Sequence, residues 1–239
     1  MPTLNASLIS LPRSSSFIRI NGIILCLFGL LLSLAPAQKL DESATRTLIE
    51  KIAAQRQAKP SLQAEYREEK SGGILGKPAI SSGKLWYSTP NLFRKESRDA
   101  NKESLIVSNG EVLWMYYPAF QQAERYDLKK HKFLSQGIAA FTTGLDFAKA
   151  EKDFTVTAEE AAGGYVLRLL PKKAAISRML KQLEIKLSKD LELQSVETIS
   201  PKGERTRTDL SKVSAEKIAP LMFEFTPPAG ATVTSPLGK

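Results

Sequence analysis

Between Gly83 and Pro118 the chain reads GKLWYSTPNLFRKE, passes through a polar patch, and resumes as SLIVSNGEVLWMYYP. No other stretch restricts the fold as tightly. It is dense in β-branched, aromatic and leucine residues, and it is broken where an antiparallel sheet needs corners. Pro90-Asn91 interrupts the first run, and Asn109-Gly110 sits between two apolar runs as a two-residue hairpin signal. The pattern predicts consecutive strands over 80–89, 92–97, 103–108 and 111–117.

The flanking segments extend this reading. Asp41 or Ser43 can cap a helix running to about Gln57, with Leu48, Ile49 and Ile52 on one face and Arg46, Glu50, Lys51 and Arg56 elsewhere. Leu62, Ala64 and Tyr66 alternate with polar residues, the period of a half-buried strand. From Leu128 to Phe147, Phe133, Leu134, Ile138 and Phe141 recur at helical spacing around Gly137 and Gly144, which predicts two short helical pieces. Strands return over 154–158, 165–170, 183–187, 191–199, 205–213 and 221–225, and the tail after Val233 reads as frayed. The expected fold is α+β but mostly β, a single domain over 38–239 with roughly ten or eleven antiparallel strands and a few short helices. Such a sheet exceeds the usual open size unless it curls. A curled sheet has a concave face, which helices or a ligand must fill.

The N-terminus carries Arg13 and Arg19 ahead of an apolar run from Ile23 to Leu34, then Ala35-Pro36-Ala37. This predicts a secretory signal peptide over 1–37, cleaved after Ala37, because the run is short for a span of about 20 residues. Cys26 is the only cysteine and lies within that run, so the mature chain holds itself together without disulfides. The net charge of +9 is spread along the chain, with local clusters only at Lys129, Lys130, Lys132, Lys172 and Lys173. No aromatic-interleaved basic stripe accompanies it, which argues against nucleic acid as a partner. Catalysis has little to stand on. His131 is the one histidine and lies in a lysine run, no paired-ligand spacing supports a metal, and no motif calls for a cofactor.

Four motifs in order, GKLWYSTPNLFR (Gly83–Arg94), LIVSNGEVLWMYYP (Leu105–Pro118), LKQLEI (Leu180–Ile185) and FEFTPPAGATV (Phe223–Val233), resemble those of the LolA family of outer-membrane lipoprotein carriers. The resemblance implies an incomplete, half-open antiparallel β-barrel with short helices forming a lid over an apolar cavity. It further implies a monomeric periplasmic carrier of the acyl chains of lipidated proteins. Its partners would be an inner-membrane lipoprotein-releasing ABC transporter and an outer-membrane lipoprotein receptor. Two other roles share the fold, a carrier of a glycolipid or other acylated molecule and a lipoprotein-sensing regulatory domain. One departure stands out: where the family commonly keeps an arginine that holds the lid shut, this chain has Thr89, so the latch is weaker or supplied elsewhere. Another is Lys95, where some members carry an aromatic residue on the cavity side.

An acyl chain offers almost no hydrogen bonds, so its site must be apolar area, worth about 0.8 kcal/mol per buried methylene. If Leu62, Ala64 and Tyr66 face the cavity, alternation nominates Leu85, Tyr87 and Thr89 on the next strand. Phe93, Ile106, Leu113 and Met115 continue the lining, with Ile106 opposite Leu113 across the hairpin. The lid would contribute Leu48, Ile49, Ile52, Phe133, Leu134 and Ile138. Trp86 and Trp114 would then face the other way, into packing. An apolar stripe on strands is by itself ordinary core; only the resemblance turns it into a ligand site.

Overall fold

The computed structural model describes residues 38–72, 76–89, 91–98, 103–131 and 151–238. Its first helix, α1 (Glu42–Ala58), begins where Asp41 accepts a hydrogen bond from the Ala44 N–H at 2.7 Å, and it stops ahead of Pro60, which cannot donate to a further turn. Thr45, Leu48, Ile49 and Ile52 form its buried face. Arg56 is one turn beyond Ile52 and continues that stripe, since four residues advance a helix only about 40° past a full turn. This corrects the placement of Arg56 on the polar face.

The described strands form one 13-stranded sheet. In chain order they are β1 (Gln38–Lys39), β2 (Ser61–Ser71), β3 (Ala79–Ser88), β4 (Leu92–Ser97), β5 (Ser104–Asn109), β6 (Val112–Tyr117), β7 (Gln122–Asp127), β8 (Phe154–Ala161), β9 (Gly164–Pro171), β10 (Gln182–Ser188), β11 (Leu193–Ile199), β12 (Arg205–Ser214) and β13 (Thr232–Thr234). The spatial order is β1-β8-β9-β10-β11-β12-β2-β3-β4-β5-β6-β7-β13, so the sheet is open, with β1 and β13 as its edges. All pairings are antiparallel except β13, which lies parallel to β7. A short helix α2 (Ala174–Ser177) joins β9 to β10.

One face of the sheet, here the inner face, carries the main core. Leu48, Ile49 and Ile52 of α1 pack with Leu62, Ala64, Tyr66, Leu85 and Tyr87 and with Leu167, Leu169, Leu183, Ile185, Leu187 and Val196 from β9 to β11. Leu183, Ile185 and Leu187 are buried while Glu184 and Lys186 between them are not, as half-wet strands require. The outer face of β4–β6 is covered differently. A 3₁₀ turn, Pro220–Phe223, crosses it where a strand was expected over 221–225. Arg94 Nη1 donates to the Met222 carbonyl at 3.2 Å, and Phe225 stacks against Trp114 and Tyr116 at 5.8 and 5.5 Å between ring centres. The segment has no sheet edge to join at that place, and Pro220 starts a turn more readily than it enters a ladder. The ladder runs one residue into the tail expected to fray after Val233: Thr234 pairs with Glu124 at the end of β13, and residues 235–238 lie outside the sheet.

β7 was missed altogether. In QAERYD the two less polar residues, Ala123 and Tyr126, fall on opposite faces, so the strand carries no period-two apolar signal.

Candidate functional site

The candidate site is the inner face of β2 to β6. Register fixes which side chains share it: Leu62 pairs with Tyr87 and Ala64 with Leu85, Tyr87 with Phe93 and Leu85 with Lys95, Phe93 with Ser108 and Lys95 with Ile106. Ile106 pairs with Met115, and Ser108 with Leu113. Directly paired residues point to the same face, so Leu62, Tyr66, Leu85, Tyr87, Phe93, Ile106, Leu113 and Met115 lie together. Leu113 and Phe93 are buried, whereas Ile106 and Met115 are half-buried. Trp86 and Trp114 face outward.

Ile106 does not oppose Leu113, as the Asn109-Gly110 signal implied. The turn is centred one residue later, on Gly110-Glu111. Gly110 alone takes positive φ, +89°, and Asn109 instead turns its side chain onto the loop, accepting from the N–H groups of Glu111 (3.1 Å) and Val112 (3.0 Å). Moving the turn by one residue shifts the pairing by two, which preserves the face of every side chain.

Gly83 makes this wall possible at its Tyr66 end. A Cβ there would sit 1.8 Å from the Glu96 carbonyl oxygen and 3.1 Å from the Tyr66 ring. Only a glycine lets β3 approach β4 so closely beneath that ring.

The wall is not uniformly apolar. Continuing the inward parity of β2 past Tyr66 reaches Glu68, which is buried opposite Thr208 of β12. Lys95 Nζ meets Glu68 Oε2 at 2.5 Å, with the two side chains 14% and 7% exposed. Thr208 Oγ1 donates to the same oxygen at 3.2 Å, Lys70 Nζ lies 3.4 Å from the other, and the Lys95 ammonium stands 4.5 Å above the centre of the Tyr66 ring. Burial raises the Glu68 carboxyl, but the charges and hydrogen bonds of Lys95 and Lys70 outweigh it and hold the group below the ordinary glutamate range. Burial first, and then the nearby Lys70 charge, draw Lys95 below the ordinary lysine value against the opposing pull of Glu68. Lys95 therefore occupies the inner face with a counter-ion already in place. Glu68 was overlooked because its charge disguised an inward position that strand parity alone assigns.

At the other end of the covered wall, Nε and Nη2 of Arg56 are sealed from solvent with no hydrogen-bond partner among the described residues. Burial lowers its guanidinium against the opposing influence of Tyr87 and Glu192. Thr89 lies one residue past β3, and its N–H donates to the Pro60 carbonyl at 3.0 Å. Among the lid residues, Leu48, Ile49 and Ile52 lie against the wall; Phe133, Leu134 and Ile138 fall outside the described residues. His131 is half-buried at the turn after β7, its N–H donating to the Asp127 carbonyl at 3.0 Å, and is not the exposed surface residue its lysine run suggested. No cluster of three metal-ligating side chains occurs among the described residues.

Comparison with known proteins gives consistent matches. An outer-membrane lipoprotein carrier protein from Cronobacter sakazakii is 24% identical over 179 residues, 72% of this chain and 80% of that relative. Another from Yersinia pestis is 29% identical over 151 residues, 63% of this chain and 70% of that protein. A LolA superfamily structure from Nitrosomonas europaea superposes with a TM-score of 0.42 at 12% identity, over 76% of this chain and 97% of that one. A family model described as outer membrane lipoprotein carrier protein LolA matches residues 57–226, from the last turn of α1 through the aromatic cover of the outer face, and the chain belongs to that family.

Proposed function

We propose that this protein is a non-enzymatic carrier that takes the acyl chains of lipoproteins onto the inner face of β2–β6. The observation that supports this best is the run of apolar side chains on one face of five consecutive strands, from Leu62 and Tyr66 to Leu113 and Met115, with the Glu68–Lys95 pair set among them. An acyl chain is held by area and not by direction, so such a face suits it. Helix α1 lies against the first part of this wall through Leu48, Ile49 and Ile52, and a carrier needs a cover that fills the site when empty and moves aside when loaded. In this reading residues 1–37 are a signal peptide removed after Ala37, and residues 38–239 act as a monomeric periplasmic domain. It would receive cargo from a lipoprotein-releasing transporter of the inner membrane and pass it to an outer-membrane receptor.

Titration with a fluorescent long-chain fatty acid tests the reading. The wild-type protein binds it stoichiometrically, and Phe93→Glu, which puts a carboxylate into the middle of the wall, abolishes binding while the protein stays folded. Unchanged binding by a folded Phe93→Glu variant refutes the assignment of the face. Mass spectrometry of ligand copurified from a native periplasm separates lipoprotein from glycolipid cargo.

A further inference from the structure

Arg56, a half-buried residue, follows the buried stripe of α1 at the place where the pattern of Leu48, Ile49 and Ile52 calls for another apolar residue. It stands in the last turn, where the helix dipole favours a cation. That alone does not explain it, because a lysine or arginine on the solvent side of the same turn gains as much without burial. The neighbouring Gln55 is used structurally: its Nε2 donates to the Asp190 carbonyl at 3.0 Å and ties the helix end to the β10–β11 turn. Arg56 makes no comparable bond among the described residues. Two of its guanidinium nitrogens, Nε and Nη2, are buried and lack a hydrogen-bond partner among the described residues. These are adjacent donors on one edge of a planar fork, spaced to grip two oxygens at once. Tyr87, on the inner face of the wall, and Glu192, just before β11, are the titratable groups whose electrostatic influence reaches it, and neither Nε nor Nη2 has a hydrogen bond to them. Two sealed donors on a half-buried cation, without a partner among the described residues, destabilise the empty protein, so their place is best accounted for by a ligand.

We propose that Arg56 is a head-group site: its Nε and Nη2 edge binds the carboxylate or ester oxygens at the polar end of an acyl chain whose hydrocarbon lies along the Tyr87 side of the wall. This inference rests on the acyl-carrier reading and adds a polar end and a direction to the bound chain. It separates two properties that a structural arginine would couple. Arg56→Leu removes the idle donors, so the empty protein becomes more resistant to urea, yet it loses affinity for ligands with an oxygen-bearing head.

The test measures displacement of a fluorescent hydrophobic probe by palmitate, methyl palmitate and hexadecanol, at mildly alkaline pH, alongside urea unfolding. Wild type prefers palmitate to hexadecanol, and Arg56→Leu weakens palmitate by about 10- to 100-fold, the loss expected for charge-assisted hydrogen bonds. Hexadecanol stays within about twofold, and Arg56→Lys keeps part of the preference as a point charge without the fork. The methyl palmitate arm distinguishes the two head chemistries: a large loss there assigns an ester, as in a lipid-modified protein, and a loss confined to palmitate assigns a free carboxylate. Equal losses on palmitate and hexadecanol, no preference in wild type, or a drop in stability on Arg56→Leu overturns the proposal. If wild type binds none of the three, the carrier reading falls with it; if it binds them all without discrimination, only the head-group site falls.

Discussion

Removing Glu68 from beneath the wall isolates a term that dominates the local energetics. Coulomb's law at an effective dielectric of about 20 gives about 6–7 kcal/mol of attraction between unit charges at this separation. Burial takes back several kcal/mol for each ion. The pair as a whole therefore contributes little net stability, while either charge left alone is expensive. Glu68→Ala strands Lys95, which is 14% exposed, and costs about 3–5 kcal/mol, a shift in urea midpoint of about 1–2 M. Lys95→Met leaves Glu68 with Lys70 and Thr208 as partners and costs less, about 1–3 kcal/mol. The double variant Glu68→Leu/Lys95→Met replaces both charges with apolar volume and returns to near wild-type stability. Equilibrium urea unfolding of the three variants reads all of this directly. A double variant as unstable as Glu68→Ala refutes the argument, because it would mean that lost packing and not a stranded charge sets the cost. The pH dependence adds a sign. Glu68 is held below its ordinary value of 4.5, so its contribution is complete above that value and disappears as pH falls through the lower folded-state value. The Lys95→Met variant, with the chief counter-charge gone, loses most of that acid limb.

Other perturbations probe separate parts of the structure. Tyr126 is pushed up to about 12, by burial first and then by its hydrogen bond to Glu124 and the charge there; ultraviolet titration finds one tyrosine ionising about two units above the usual 10. Since the folded value is the raised one, the associated stability is present below pH 10 and is lost between there and the folded value, and Glu124→Gln narrows that window. Gly83→Ala drives a methyl group against the Glu96 carbonyl and destabilises by at least about 1–3 kcal/mol, checked by thermal or urea unfolding. Trp114→Ala removes the edge-on contact with Phe225 at the outer face and, since Trp114 is half-buried, lowers stability by about 1–3 kcal/mol, while fatty-acid affinity of the folded fraction stays within about twofold.

The strands of the wall were legible because their environment is simple. Period-two alternation over Leu62–Tyr66 and Leu183–Leu187 reports a face against the core, and that depends only on local chain geometry. Asp41 and Pro60 bounded α1 for equally local reasons. Parity survived even where register was wrong, as at Gly110-Glu111, because a shift of two residues returns each side chain to its own face. Local sequence could not decide where a charge is neutralised. Glu68 and Lys95 are 27 residues apart and Thr208 is 140 residues from Glu68, so Lys95 arrives through β3 and β4 laid beside β2, and Thr208 through β12 closing onto its other side. The same holds for Phe225, which covers Trp114 from the far end of the chain, and for β7, whose polar sequence is held by the strands on either side. The sequence by itself determined which residues prefer an apolar face and where the chain turns. The tertiary structure alone decided that one mostly apolar face runs from β2 to β6, that a buried ion pair is set into it, and that Nε and Nη2 of Arg56 are sealed from solvent without a partner among the described residues, because burial and pairing belong to contacts between distant segments and not to any one of them.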